Sequence, residues 1–314
     1  MMLSRLRLYA PWFSDCRLMA AVVAAAAVIA ALALRADTVS AQQTPLHLNP
    51  VIEKLAAGTP VFGILTSDLS RENARASGRL DTDYVFIDME HSPLNMDSLA
   101  NFVAAMSDKA YTLKTGNAQP RSALIARFPP YASDNAGWVV KQALDIGVMG
   151  IVFNTVNTKE QALAAVKHMR YPPWQGRPNT HKEPIGMRGW SPTGAVWAWG
   201  IDGEEYRRRA DVWPLNPEGD LLASMIIETK EGVDNVDEVP GVSILSAAAG
   251  GDLSSSYGVP RDSPEVEAGM QRILKACLAN NVICSITAFG KADIDRRLKE
   301  GWMMIRTRSG GPND

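Results

Sequence analysis

Two carboxylates and an imidazole, Asp88, Glu90 and His91, follow directly on the apolar run Tyr84-Val85-Phe86-Ile87 and precede Pro93. An imidazole that titrates near neutrality is suited to acid/base work, and an adjacent carboxylate can orient its ring. Three more apolar runs end in a charged residue. Ala123-Leu124-Ile125-Ala126 ends in Arg127, and Met225-Ile226-Ile227 ends in Glu228. Past the run Val242–Leu245 comes Ala248-Ala249-Gly250-Gly251-Asp252. A cation at Arg127 can stabilise an oxyanion that develops on a substrate. Glu228 and Asp252 are oxygen donors, and two carboxylates suffice for magnesium or manganese, which keep several waters. Each is also in a position to cap a following helix. Gly251 allows the backbone to approach a ligand closely, so its amide is a candidate for a substrate carboxylate.

Chemistry at the ends of several apolar strands requires a scaffold that gathers those ends. From residue 50 onward strand-like and helix-like segments alternate. The strand candidates are Val61–Leu65, Tyr84–Ile87, Ala123–Arg127, Gly150–Phe153, Leu222–Ile227, Val242–Leu245, Val282–Ile286 and Met303–Arg306. Helical patterns fall between them at Ser70–Ser77, Met96–Met106, Asn135–Leu144, Lys159–Met169, Glu231–Val236, Pro264–Asn280 and Lys291–Lys299. Eight such units predict a single-domain (β/α)8 barrel over residues 42–308, with its chemistry at the C-terminal strand ends. A doubly wound open sheet also alternates, but the glycine-rich first turn it uses is absent. Residues 171–220 read as an irregular insert holding Trp174, Trp190, Trp197, Trp199 and Trp213, suited to a lid or a subunit contact. Residues 309–314 read as a polar, frayed tail.

The first 41 residues have another character. Arg5, Arg7 and Arg17 precede an apolar run from Leu18 to Leu34, followed by Val39-Ser40-Ala41. This is the order of a signal peptide cleaved after Ala41, or of an uncleaved anchor, and it predicts export to the periplasm or beyond. The 314 residues carry a net charge of −2, so no nucleic-acid face is expected. Cys277 and Cys284 fall in separate apolar patterns and read as two buried free thiols. His47, His168 and His181 lack acidic neighbours of the kind beside His91 and read as surface or loop residues. Asp145 closes a helical pattern, the unfavourable dipole end for an anion.

Taken together, Asp88-Met89-Glu90-His91-Ser92-Pro93, Ala126-Arg127, Leu144-Asp145-Ile146-Gly147, Tyr171-Pro172-Pro173, Gly186-Met187-Arg188-Gly189, Ile227-Glu228-Thr229 and Gly251-Asp252-Leu253-Ser254 resemble the HpcH/HpaI aldolase/citrate lyase family. The nearest branch is that of the metal-dependent class II pyruvate aldolases. The resemblance implies a (β/α)8 barrel in a homo-oligomer, a trimer or hexamer. It implies Mg²⁺, Mn²⁺ or Co²⁺ on Glu228 and Asp252, and a 2-oxo acid as substrate. It implies Arg127 at the keto oxygen, His91 as acid/base supported by Asp88, and Asp145 paired with His91 of a neighbouring subunit. The reaction implied is reversible cleavage of a 4-hydroxy-2-oxo acid into pyruvate and an aldehyde. Trp190-Ser191-Pro192-Thr193 stands where these aldolases carry a smaller run that shapes the pyruvate site, which makes Thr193 a substrate-binding candidate and leaves the substrate open. Another lyase or hydrolytic reaction on the same barrel, or an exported non-catalytic binding protein, are the competing readings. No lysine ends a strand, which argues against Schiff-base chemistry.

Overall fold

The computed structural model describes residues 46–173, 183–239, 244–247 and 250–314. The N-terminal segment expected to direct export and part of the tryptophan-rich insert, Trp174 and His181 included, lie outside them. Among the described residues no helix is long and apolar enough to cross a membrane.

Eight parallel strands close into a barrel in chain order. They are β1 Val61–Thr66, β2 Tyr84–Asp88, β3 Ala123–Tyr131, β4 Gly150–Asn154, β5 Leu222–Ile227, β6 Ile244–Ala247, β7 Ile283–Thr287 and β8 Met304–Arg306. The helices are α1 Pro50–Ala56, α2 Arg71–Ser77, α3 Met96–Ala105, α4 Lys109–Thr115, α5 Gly137–Ile146, α6 Lys159–Met169, α7 Thr193–Trp199, α8 Gly203–Arg209, α9 Lys230–Asp234, α10 Gly251–Tyr257, α11 Pro264–Asn280 and α12 Lys291–Glu300. Side chains such as Val85, Ile87, Ala126 and Ile151 are buried between barrel and helices. Continuous apolar runs form these strands because both sheet faces are covered.

Four sequence expectations are corrected. Cys277 at the end of α11 and Cys284 on β7 are joined in a disulfide, seven residues apart. Asn281 turns left-handed (φ 52°) after α11 and brings the chain straight back into β7, so the two apolar patterns meet. The insert is more regular than its Pro and Gly content suggests, since α7 and α8 lie within it. Its Trp199 packs edge-on against Tyr206 at 5.0 Å. His47 is buried, 3.3 Å from Asp220. The tail does not fray: the Asp314 carboxylate accepts from the amides of Arg308 (3.0 Å) and Ser309 (2.6 Å).

Candidate active site

Strand register places the first half of the site. Asp88, the last residue of β2, stands directly opposite Arg127, which lies within β3 where its pairing with β4 shifts register. Arg127 Nη2 donates to Asp88 Oδ2 (2.6 Å) and Nε to Asp88 Oδ1 (3.2 Å). Its Nη1 lies 2.8 Å from Glu90 Oε2. Burial alone would raise the Asp88 carboxyl, but the Arg127 hydrogen bonds and charge, with help from His91, outweigh it and hold it below the ordinary range. The same Asp88 Oδ1 accepts from the amides of Glu90 and His91, which folds the segment after β2 over the barrel mouth.

The His91 ring stays largely exposed over this cluster. Its Nδ1 lies 2.8 Å from Arg127 Nη2 and 3.2 Å from Asp88 Oδ2. Arginine has no acceptor, so at the shorter contact Nδ1 accepts and the ring proton sits on Nε2. A proton gained at Nδ1 makes the Arg127 contact repulsive and turns the Asp88 contact into a charge-assisted hydrogen bond.

The second half comes from β5 and the start of α10. Glu228 is 7% exposed. Its Oε1 accepts from the Thr155 amide and the Thr155 hydroxyl, both at 2.7 Å. Thr155 follows β4 with φ 51°, a left-handed conformation that costs a β-branched residue about 1 kcal/mol or more. That conformation aims two donors at one carboxylate oxygen and leaves the other facing the cavity. Thr229, not Glu228, caps α9, accepting from the Gly232 amide. Asp252 is exposed in the first turn of α10, after Gly250 at φ 80°.

Burial raises the Glu228 carboxyl above its ordinary range, and repulsion from Asp252 and Glu90 adds to this. Glu90 is raised by burial, with Asp88 and Asp252 adding to it, in spite of Arg127. Glu228 and Asp252 line one cavity and repel each other, and Glu90 adds to the negative charge that Glu228 meets. Carboxylates that repel across a cavity fit a hard divalent cation. Among the described residues, the group of three metal-capable side chains whose ligand atoms come within 4.8 Å of one another is Asp88, Glu90 and His91. The Arg127 guanidinium already bridges its two carboxylates, and a second cation there would be repelled. Glu228 and Asp252 line the cavity together with Arg127 and Arg261.

Of the sequence candidates, His91, Arg127, Glu228, Asp252 and Gly251 line one cavity of about 260 Å³. Asp88 lies behind Arg127. Two others lie apart from the cavity. Asp145, at the end of α5, binds Lys141 and accepts from Arg188 Nη2 at 2.6 Å. Thr193 is exposed at the start of α7. Sequence reasoning missed Thr155, the holding role of Glu90, and Arg306. Arg306 follows Met303-Met304-Ile305 just as Arg127 follows the apolar run Ala123-Leu124-Ile125-Ala126, so the same signal marks it. No sequence signal marks Thr155, whose role depends on its backbone angle.

A closed parallel barrel with facing carboxylates, an arginine and an imidazole at its C-terminal mouth defines a TIM-barrel protein of the acidic, cation-binding kind. The HpcH/HpaI aldolase/citrate lyase family model matches residues 67–309, and the chain belongs to that family. It is similar to the 2-keto-3-deoxy-L-rhamnonate aldolase of Salmonella gallinarum, 28% identical over 78% of this chain and 77% of that protein. It is also similar to the hydroxypyruvate/pyruvate aldolase of Paraburkholderia phytofirmans, 28% identical over 82% of this chain and 90% of that one. A solved HpcH/HpaI aldolase/citrate lyase family structure from Burkholderia cenocepacia superposes with a TM-score of 0.66 at 25% identity, covering 82% of this chain and 92% of its own.

Proposed function

We propose that this protein is a divalent-metal-dependent lyase that reversibly cleaves a 4-hydroxy-2-oxo acid into pyruvate and an aldehyde. Family membership and two aldolase relatives support the class of reaction. The observation that carries the metal is the placement of Glu228 and Asp252 on one cavity, where burial and then repulsion from Asp252 and Glu90 raise the Glu228 carboxyl.

Glu228 and Asp252 would hold Mg²⁺, Mn²⁺ or Co²⁺. When bound, the ion supplies Lewis acidity toward the carboxylate and keto oxygen of a 2-oxo acid. The chain's own residues do the rest. Arg127, fixed by Asp88 and Glu90, offers N–H groups to charge developing on the keto oxygen. His91 takes the 4-hydroxyl proton as the C3–C4 bond breaks. The bond's electron pair moves through C2 toward that oxygen, and the aldehyde leaves. A proton returned to C3 completes pyruvate. The Gly251 amide would face the substrate carboxylate. Asp145 would act in an oligomer, by reaching the His91 of a neighbouring subunit. Export would follow from the N-terminal segment.

The test is pyruvate release from 4-hydroxy-2-oxo acids with and without Mn²⁺, in wild type and in Glu228→Gln. Chelation should abolish the wild-type activity, and the variant should lack it at any Mn²⁺ concentration. Turnover that is insensitive to chelation rejects the metal mechanism.

A further inference from the structure

Below the acidic mouth the barrel lumen is unusually polar. Barrels of this kind fill their interior with layers of branched apolar side chains. Here Ser224, Ser246, Ser285 and Thr287 line the cavity on β5 to β7. They leave open a space that larger residues would close.

Arg306 enters that space from β8. Register places it between Thr287 on one side and Gly63 on the other, and Gly63 pairs in turn with Tyr84. Gly63 has to be glycine, since a Cβ there would sit 2.3 Å from the Tyr84 ring. The tyrosine therefore folds across β1 toward Arg306. The guanidinium lies 5.3 Å from the centre of the Phe86 ring. Among the described residues no carboxylate pairs with it and no hydrogen bond engages its side chain, whereas Arg127 has both Asp88 and Glu90. Burial lowers its pKa and Arg127 repels it further, against a partial offset from Tyr84 and the more distant Asp88. Tyr84 is 1% exposed, and its hydroxyl has no hydrogen-bond partner. Burial also raises its pKa, so it stays a neutral donor. Arg306 itself is half-buried, and an unpaired cation there beside an unpaired buried hydroxyl leaves a place that an anion would complete.

We propose that Arg306, with Tyr84, forms a second anion subsite in the barrel lumen, which takes the far carboxylate of a 2-oxo dicarboxylic acid. The guanidinium fork matches a planar carboxylate. The lumen is continuous with the Glu228–Asp252 mouth, so one ligand can reach both ends of the cavity. The inference rests on the metal reading above, because the metal fixes the other end of the ligand.

The test is calorimetric titration of the Mn²⁺-loaded protein with 2-oxopentanedioate and with 2-oxopentanoate. These ligands share a chain length and differ only in the terminal carboxylate. Wild type should bind the diacid at least about tenfold more tightly, the scale of one charge-assisted pair. Arg306→Gln should bring the two affinities together, and Tyr84→Phe should narrow the ratio by about threefold, the loss of one neutral donor. Arg306→Lys keeps the charge and should retain part of the preference, which tests the subsite even if the glutamine variant does not fold. Oxalate is the control for the metal end. If it binds with Mn²⁺ while wild type treats the two oxo acids alike, or if Arg306→Gln keeps the preference, the lumen subsite is wrong and the metal reading stands. If neither oxalate nor either oxo acid needs Mn²⁺, the metal reading fails and the subsite falls with it.

Discussion

The barrel mouth and the contact between α11 and α12 are built from the same residue types and behave in opposite ways. Between the helices, Glu267 accepts from Arg297 Nη1 (2.7 Å) and Nη2 (2.8 Å), and from Gln271 (2.8 Å). Burial alone would raise this carboxyl, yet those donors bring it down to about 2. At the mouth, burial and repulsion from Asp252 leave Glu228 above its ordinary value. The first arrangement is complete within the chain. The second is complete only when something positive is added. A cluster satisfied by its own partners serves stability, and one held in mutual repulsion marks a site.

The largest expected effects break the mouth. Glu228→Gln should reduce lyase activity by about a thousandfold, since a Lewis acid contributes several kcal/mol to the transition state. The metal-free variant should melt no lower than wild type, because a repelling carboxylate has been removed. Mn²⁺ should raise the melting temperature of wild type only. Steady-state kinetics and thermal melts check both. Arg127→Met strips the buried Asp88 and the half-buried Glu90 of their cation. It should cost about 3 kcal/mol of stability as well as activity, the reverse of the Glu228→Gln pattern.

The pH dependence sharpens the contrast. Glu228 has a folded-state carboxyl raised above its unfolded value, so the folded metal-free protein holds more protons in that window. Its repulsion is fully present at higher pH and is relieved as pH falls through the folded value. Mn²⁺ affinity should weaken over the same descent, at a pH above the ordinary glutamate value of 4.5. Glu267 has the opposite sign. Its contribution is present above 4.5 and is lost as pH falls toward about 2. Calorimetric Mn²⁺ titrations and denaturant melts across pH separate the two.

Away from the mouth the effects are smaller and spare activity. Replacing both Cys277 and Cys284 by serine should cost about 2–3 kcal/mol from loop-closure entropy, with kcat/KM unchanged. Glu267→Gln should cost about 1 kcal/mol after allowance for solvent screening. It should also flatten the acid limb of the stability curve.

Much of this was legible in the sequence wherever one residue type decides the outcome. The apolar run of β5 and the helices α6 and α11 fall within the expected bounds, because Thr158 with Gln161 forms a capping box for α6 and Pro264 opens α11. The Asp88–Arg127 pair was legible as two charged residues that follow apolar runs. The helices missed are short. Asn49 caps α1 directly before Pro50, and α4 is capped by Asp108 and buries none of its own residues. In α10 the Gly-Asp-Leu-Ser-Ser-Ser run has little helical propensity, and burial of Leu253 supplies what propensity does not. Arg306 closes an apolar run as Arg127 does and was passed over, whereas Thr155 and the Gly63–Tyr84 contact were not legible, because each depends on a backbone angle or a register that no single residue announces. The cysteines were misread for the same reason, since each was judged by its own neighbours and the turn between them was not.

The most direct measurement is the anomalous scattering of manganese in a crystal soaked with Mn²⁺ and oxalate. The account predicts one peak within coordinating reach of both Glu228 and Asp252, with oxalate on its open side. A peak held instead by Asp88, Glu90 and His91, with Arg127 displaced, would contradict it.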